Sequence, residues 1–272
     1  MSQPLTDFSD STVLSVHASD TAGRPELRLA LFGSMALLFA LALLLPSMVQ
    51  PDHYHAFADQ RSWMGLHCAG DVLSNLGFVV AGLAGFAALW RAGAHSLSGT
   101  ARALCALFFA GLLCSGAGSA FYHWAPQNAS LLWDRLGMSV AFAGLLGLAV
   151  QTRMDDSSAR VAAALMLLAA PISALVWAQT GNLLPWVLAQ AGGMLIIFAL
   201  ALMAPRRNAL PVALGWVIGL YAVAKLLEMS DSVVFEWTGY AVSGHSLKHW
   251  VAAVAAWPVL SALTQWRCSL KQ

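Results

Sequence analysis

The chain has 272 residues, of which 59% are hydrophobic and only 10% charged, with a formal net charge of +1. Soluble domains carry about 25% charged residues, and a globule of this make-up would leave too much apolar surface in water. The composition therefore excludes a water-soluble fold and points to an integral membrane protein. With no basic run there is no reason to expect a nucleic-acid partner, and four scattered cysteines make no disulfide framework.

In chain order, residues 1–28 form a tail rich in Ser, Thr and Asp, followed by a first apolar run, Leu29–Val49. That run is long enough to cross a bilayer and starts too late for a signal peptide, so it is read as a retained first helix. Seven further apolar stretches follow: Val72–Trp90, Ala103–Tyr122, Leu131–Thr152, Val161–Ala178, Leu183–Ala204, Leu210–Met229 and Ser246–Trp266. No charge falls between Arg160 and Arg206. One helix over that interval would measure roughly 65 Å, about twice the bilayer core. Gln179-Thr180-Gly181-Asn182 and then Pro185 supply the turn that divides it. The expected fold class is an all-α membrane protein, with one transmembrane domain over 29–268.

Eight spans place both termini on one side. Arg24, Arg28, Arg91, Arg102, Arg153, Arg160, Arg206, Arg207, Arg267 and Lys271 fall on that side, against Arg61, Arg135, Lys225 and Lys248 on the other. The positive-inside bias makes both termini cytoplasmic.

The groups suited to chemistry gather at the opposite, non-cytoplasmic end. Ser119 and His123 close the third span at i, i+4, Asp134 opens the fourth, and His245 and His249 open the eighth, again at i, i+4 and so on one face. Three histidines suit Zn²⁺ and leave a fourth tetrahedral position for a water whose pKa falls near 7. Asp134 would then carry the proton, and Ser119 would hydrogen-bond a developing oxyanion. Spacing alone equally allows three interfacial histidines, each bonded to a neighbour. The first outer loop, with Asp52, His53, His55, Asp59, Arg61, His67 and Asp71, reads as a solvated loop with structural ion pairs rather than a second metal site. Lys225 and Glu228 read as a neutralising i, i+3 pair, Asp231 equally as a packing group, a support behind the site or a catalytic group, and Ser74 and Asn75 as bonds to a neighbouring helix.

Gly118-Ser119-Ala120-Phe121-Tyr122-His123, then Asp134 eleven residues after that histidine, then His245-Ser246-Leu247-Lys248-His249, together resemble the alkaline ceramidase family of the CREST superfamily of membrane hydrolases. Asp71-Val72-Leu73-Ser74-Asn75 resembles that family's first core helix, so the likeness covers approximately residues 71–266. It implies a seven-helix CREST-type bundle preceded here by one extra N-terminal helix. It also implies a Zn²⁺-dependent amidohydrolase that splits ceramide-like lipids into sphingoid base and fatty acid. His123, His245 and His249 would be ligands, Asp134 would act on the metal-bound water and Ser119 would support the site. The family's acidic calcium-binding segment has no counterpart that can be aligned; Cys68 stands where one of its glutamates would be, and no calcium is expected. The same constellation occurs in lipid esterases or phospholipases of the superfamily, and in the progestin and adiponectin receptor branch.

Overall fold

A computed structural model describes residues 25–93 and 96–269. Most of the tail assigned to 1–28 lies outside these residues, as do His95 and Lys271. The described chain is all-α: α1 (Pro25–Leu44), α2 (Ala69–Ser74), α3 (Leu76–Ala92), α4 (Gly99–Trp124), α5 (Asn128–Arg153), α6 (Asp156–Thr180), α7 (Leu184–Ala201), α8 (Leu214–Met229), α9 (Asp231–Trp237), α10 (Gly244–Val254) and α11 (Trp257–Ser269). Among the described residues, α1, α2 with α3, α4, α5, α6 and α7 are long and apolar enough to cross a membrane, which makes this a multi-pass membrane protein. The expected seventh span is the 16-residue α8. The expected eighth is α10 and α11, interrupted at 255–256.

Local signals explain the ends. Ser98 caps α4 by accepting the Ala101 N–H, Gln127 and Ser130 form a reciprocal capping box on α5, and the Asp155 carboxylate accepts the Ser158 N–H to cap α6. The turn expected near 179–182 falls at Gly181, which ends α6 in the left-handed region at φ 74°.

Helices α4 and α5 form the centre of the bundle, antiparallel and in close backbone contact. A Cβ on Gly111 would stand 2.1 Å from the Ala141 nitrogen, and one on Gly144 2.4 Å from the Phe108 nitrogen. Small residues allow this approach where lipid supplies no hydrophobic driving force between helices. Helix α1 is peripheral, burying only Leu31 and resting on α7, where Leu38 covers Gly192. At the end of the bundle away from the histidines, Arg28 pairs with Asp155 at 3.1 Å and Arg206 with Asp156 at 2.7 Å, tying α1, α6 and the segment after α7 together.

Candidate metal centre

The α4–α5 contact sets the first half of the site. A Cβ on Gly118 would fall 2.4 Å from the Trp133 carbonyl and 3.2 Å from the Asp134 nitrogen, so the last turns of α4 lie directly on the first turn of α5. Ser119 is thereby brought to Asp134 and hydrogen-bonds its carboxylate. His123, one turn further along α4, is 1% exposed.

Helix α10 supplies the other half, and its register is set by α2. The Asp71 carboxylate, fully buried, accepts hydroxyl hydrogen bonds from Ser243 at 3.1 Å and Ser246 at 2.7 Å through one oxygen. Ser243 also caps α10 by accepting the Ser246 N–H at 2.9 Å. Asp231 spans two segments, taking the His245 N–H at 2.8 Å and the Ala58 N–H at 2.9 Å. Gly244 permits this join, since a Cβ there would meet the Leu227 carbonyl at 2.4 Å.

Three rings converge as a result. One ligand atom from each of His123, His245 and His249 lies within 4.8 Å of the others, and all three residues are buried. The Nε2 atoms of His123 and His245 approach to 3.2 Å. A tetrahedral zinc site with Zn–N bonds of about 2.0–2.1 Å requires ligand nitrogens about 3.3–3.4 Å apart, so the pair already has the separation of two ligands on one ion.

The third ligand has its tautomer fixed. Ser74 donates its only hydroxyl proton to the Asp71 carbonyl at 2.8 Å, and the same oxygen lies 2.7 Å from His249 Nδ1. With that proton on the carbonyl, Nδ1 carries the hydrogen and donates it to the Ser74 oxygen. The Nε2 lone pair is left for the centre, the arrangement found behind metal-ligating imidazoles. Phe57 closes the other side, with ring centroids 4.6 Å from His123 and 4.7 Å from His245. The donor set and its outer contacts thus fit a divalent metal ion.

A cavity of about 590 Å³ opens beside the group. His245, His249, Asp134 and Ser119 form part of its wall, Glu228, Lys225 and Lys248 another part, and Phe108, Leu112 and Phe142 an apolar part. Glu228 bridges the two lysines, contacting Lys225 and, at 2.6 Å, Lys248. The expected pair is therefore a triad.

The first outer loop is more ordered than its composition implies. Arg61 clamps Asp59 with two hydrogen bonds, at 2.8 and 2.7 Å, and holds that carboxyl below its ordinary value. His55 joins the Tyr122 hydroxyl at 2.9 Å and Asn128 at 3.0 Å. Burial pushes the Cys68 thiol up to about 11, which keeps it protonated. Asp71, expected in the solvated loop, is instead the buried anchor of α10. Its sequence signal was its position just ahead of Ser74 at the start of an apolar run. No second group of three metal-ligating side chains occurs among the described residues. Ser74 and Phe57 carry site roles that spacing alone did not assign, while Asp231 takes the supporting role open to it.

No protein-family model matches the chain, and no curated protein matches it.

Proposed function

We propose that this protein is a membrane-embedded, zinc-dependent amidohydrolase acting on ceramide-like lipid amides. The observation that carries the reading is a buried group of three histidines, two of which line, with a carboxylate, a cavity whose surface is largely apolar. The cavity volume of about 590 Å³ lies in the range of small-molecule sites, and its apolar part suits an acyl chain. Zinc held there would supply Lewis acidity and a water of lowered pKa. Asp134 takes the proton of the attacking water and passes it to the leaving amine nitrogen. Ser119, bonded to the same carboxylate, fixes its direction. Phe57 keeps bulk water off His123 and His245, while Ser74 keeps the His249 lone pair turned inward.

The orientation belongs to the same proposal. Six spanning helices, α8 and the α10–α11 pair make eight crossings, with both termini cytoplasmic and the histidines near the non-cytoplasmic face. The pair covers residues 244–269, about 39 Å of helix, enough to cross.

Labelled ceramides of several chain lengths, offered to the purified chain and to Asp134→Asn and Ser119→Ala, test the assignment. Turnover in Asp134→Asn should fall by about 10²–10⁴-fold with the fold intact, and Ser119→Ala should fall less. Wild-type protein that hydrolyses neither lipid amides nor lipid esters removes the enzyme reading in favour of a metal-binding lipid receptor. Hydrolysis confined to ester lipids replaces the substrate class while leaving the site in place.

A further inference from the structure

Arg135 follows Asp134 on α5 and is 1% exposed, the largest fully buried side chain among the described residues. Burying a charge is costly unless a partner compensates it, with an effective penalty of several kcal/mol per ion. Arg28, Arg61 and Arg206 each hold a carboxylate, whereas Arg135 forms no ion pair among the described residues. Its guanidinium carbon lies 3.7 Å from the Trp177 ring centroid, 5.6 Å from that of Trp186 and 5.8 Å from that of Tyr54. One nitrogen donates to Gln50 Oε1 at 2.8 Å, while Nε and Nη1 have no hydrogen-bond partner. Tyr54 also hydrogen-bonds the guanidinium, whereas the Trp177 and Trp186 faces offset part of the charge but accept no hydrogen in its plane.

This side chain borders the same cavity as His245, His249 and Asp134. The other cations on that wall, Lys225 and Lys248, are compensated by Glu228. Arg135 is therefore the cavity cation that holds no carboxylate. A planar fork with free donors is built for an oxyanion with two coplanar oxygens. Of its companions, Gln50 and Tyr54 lie on the short segment around the 3-10 turn Asp52–His55 and not on a spanning helix.

We infer that Arg135 receives an anionic group, a carboxylate or a phosphate ester, carried by the head group of the lipid bound in this cavity. The substrate class then becomes acyl amides with an acidic head group in preference to neutral ones. That second statement rests on the hydrolase reading of the histidine site; the binding of the anion by Arg135 does not.

The test uses the full chain in neutral detergent and three dodecyl ureas, amide isosteres that resist hydrolysis, ending in a hydroxyethyl, a carboxymethyl or a phosphoethyl group. Titration calorimetry should show the acidic ureas binding roughly 10- to 100-fold tighter than the neutral one, the worth of a charge-assisted contact. The better of the two acidic ureas identifies the oxyanion. Arg135→Gln should bring the ratio near one, and Arg135→Lys should keep part of it. Equal binding of all three by the wild type overturns the inference without recourse to any variant. So does a preference that survives Arg135→Gln, which would assign the anion to the metal or the lysines. A parallel hydrolysis assay on N-dodecanoylglycine and N-dodecanoylethanolamine separates the two claims. Anion preference in binding with no hydrolysis sinks the hydrolase reading alone, and hydrolysis with no anion preference sinks the Arg135 assignment alone.

Discussion

Replacing Ser74 with Ala probes the site without touching a ligand. The Ser74 oxygen accepts the His249 Nδ1 hydrogen at 2.7 Å and sends its own proton to the Asp71 carbonyl at 2.8 Å. The carbonyl keeps a second donor, the Asn75 side-chain amide at 2.8 Å, so its loss is small. The imidazole loses the acceptor that fixes its tautomer, in a setting where Ser74 and His249 are 3% exposed each and water cannot easily substitute. Leaving one buried donor unpaired costs about 1–3 kcal/mol, and loss of such an outer partner typically lowers metal affinity about 10–100-fold. Both figures place the expected weakening near 1.4–2.7 kcal/mol, roughly one to two decades in zinc affinity. Competition with a chromophoric chelator measures it, and Ser74→Thr, which restores a hydroxyl, should recover most of the loss. Zinc affinity in Ser74→Ala equal to wild type would refute the tautomer argument. Equal weakening in Ser74→Thr would refute the hydroxyl as its cause.

Gly118→Ala puts a Cβ 2.4 Å from the Trp133 carbonyl, so overpacking should cost about 1–3 kcal/mol and separate Ser119 from Asp134; thermal melts should show a lowered Tm, with Gly33→Ala, whose Cβ meets nothing within 4 Å, unaffected or raised. Arg61 depresses the Asp59 carboxyl below its ordinary 3.8, so the pair's stabilisation is present above that pH and is lost as pH falls through the lower, folded-state value; the Tm gap between wild type and Asp59→Asn should shrink on acidification, and a constant gap would contradict it. Cysteines introduced at Ala129 and at Tyr240, which is 61% exposed, should react with an impermeant reagent in intact cells on a background free of native cysteines; reaction only after permeabilisation would invert the topology.

The i, i+4 spacings made His123 with Ser119 and His245 with His249 readable as faces, because helical periodicity alone decides which side chains on one helix are neighbours. Meeting across helices depends on rotation and depth, which composition does not encode, yet the five groups fell at one end because adjacent spans alternate direction. Ser74 was legible as a bond to some neighbouring helix but not as the acceptor for His249, since that pairing spans 175 residues. Asp71 looked solvated because the polar loop ahead of it hid that the chain had already turned inward. Arg135 looked like one of four charges on the outer side, and only packing against Trp177 and Trp186 shows it buried. The span boundaries were legible to within a few residues at the Gly181 turn. The interruption at 255–256 had a signal that the continuous apolar run masked: Pro258 has no N–H to give the Val254 carbonyl, so α10 ends at that residue.

Zinc titration of metal-stripped protein, with fatty-acid release from a lipid amide followed at each addition, tests the central claim most directly. Release should be absent without metal, rise in proportion to added zinc and level off at about one ion per chain, as three imidazoles around one tetrahedral centre require. Release that persists in the stripped protein, or that never appears at any zinc ratio while His123, His245 and His249 are occupied, would contradict it.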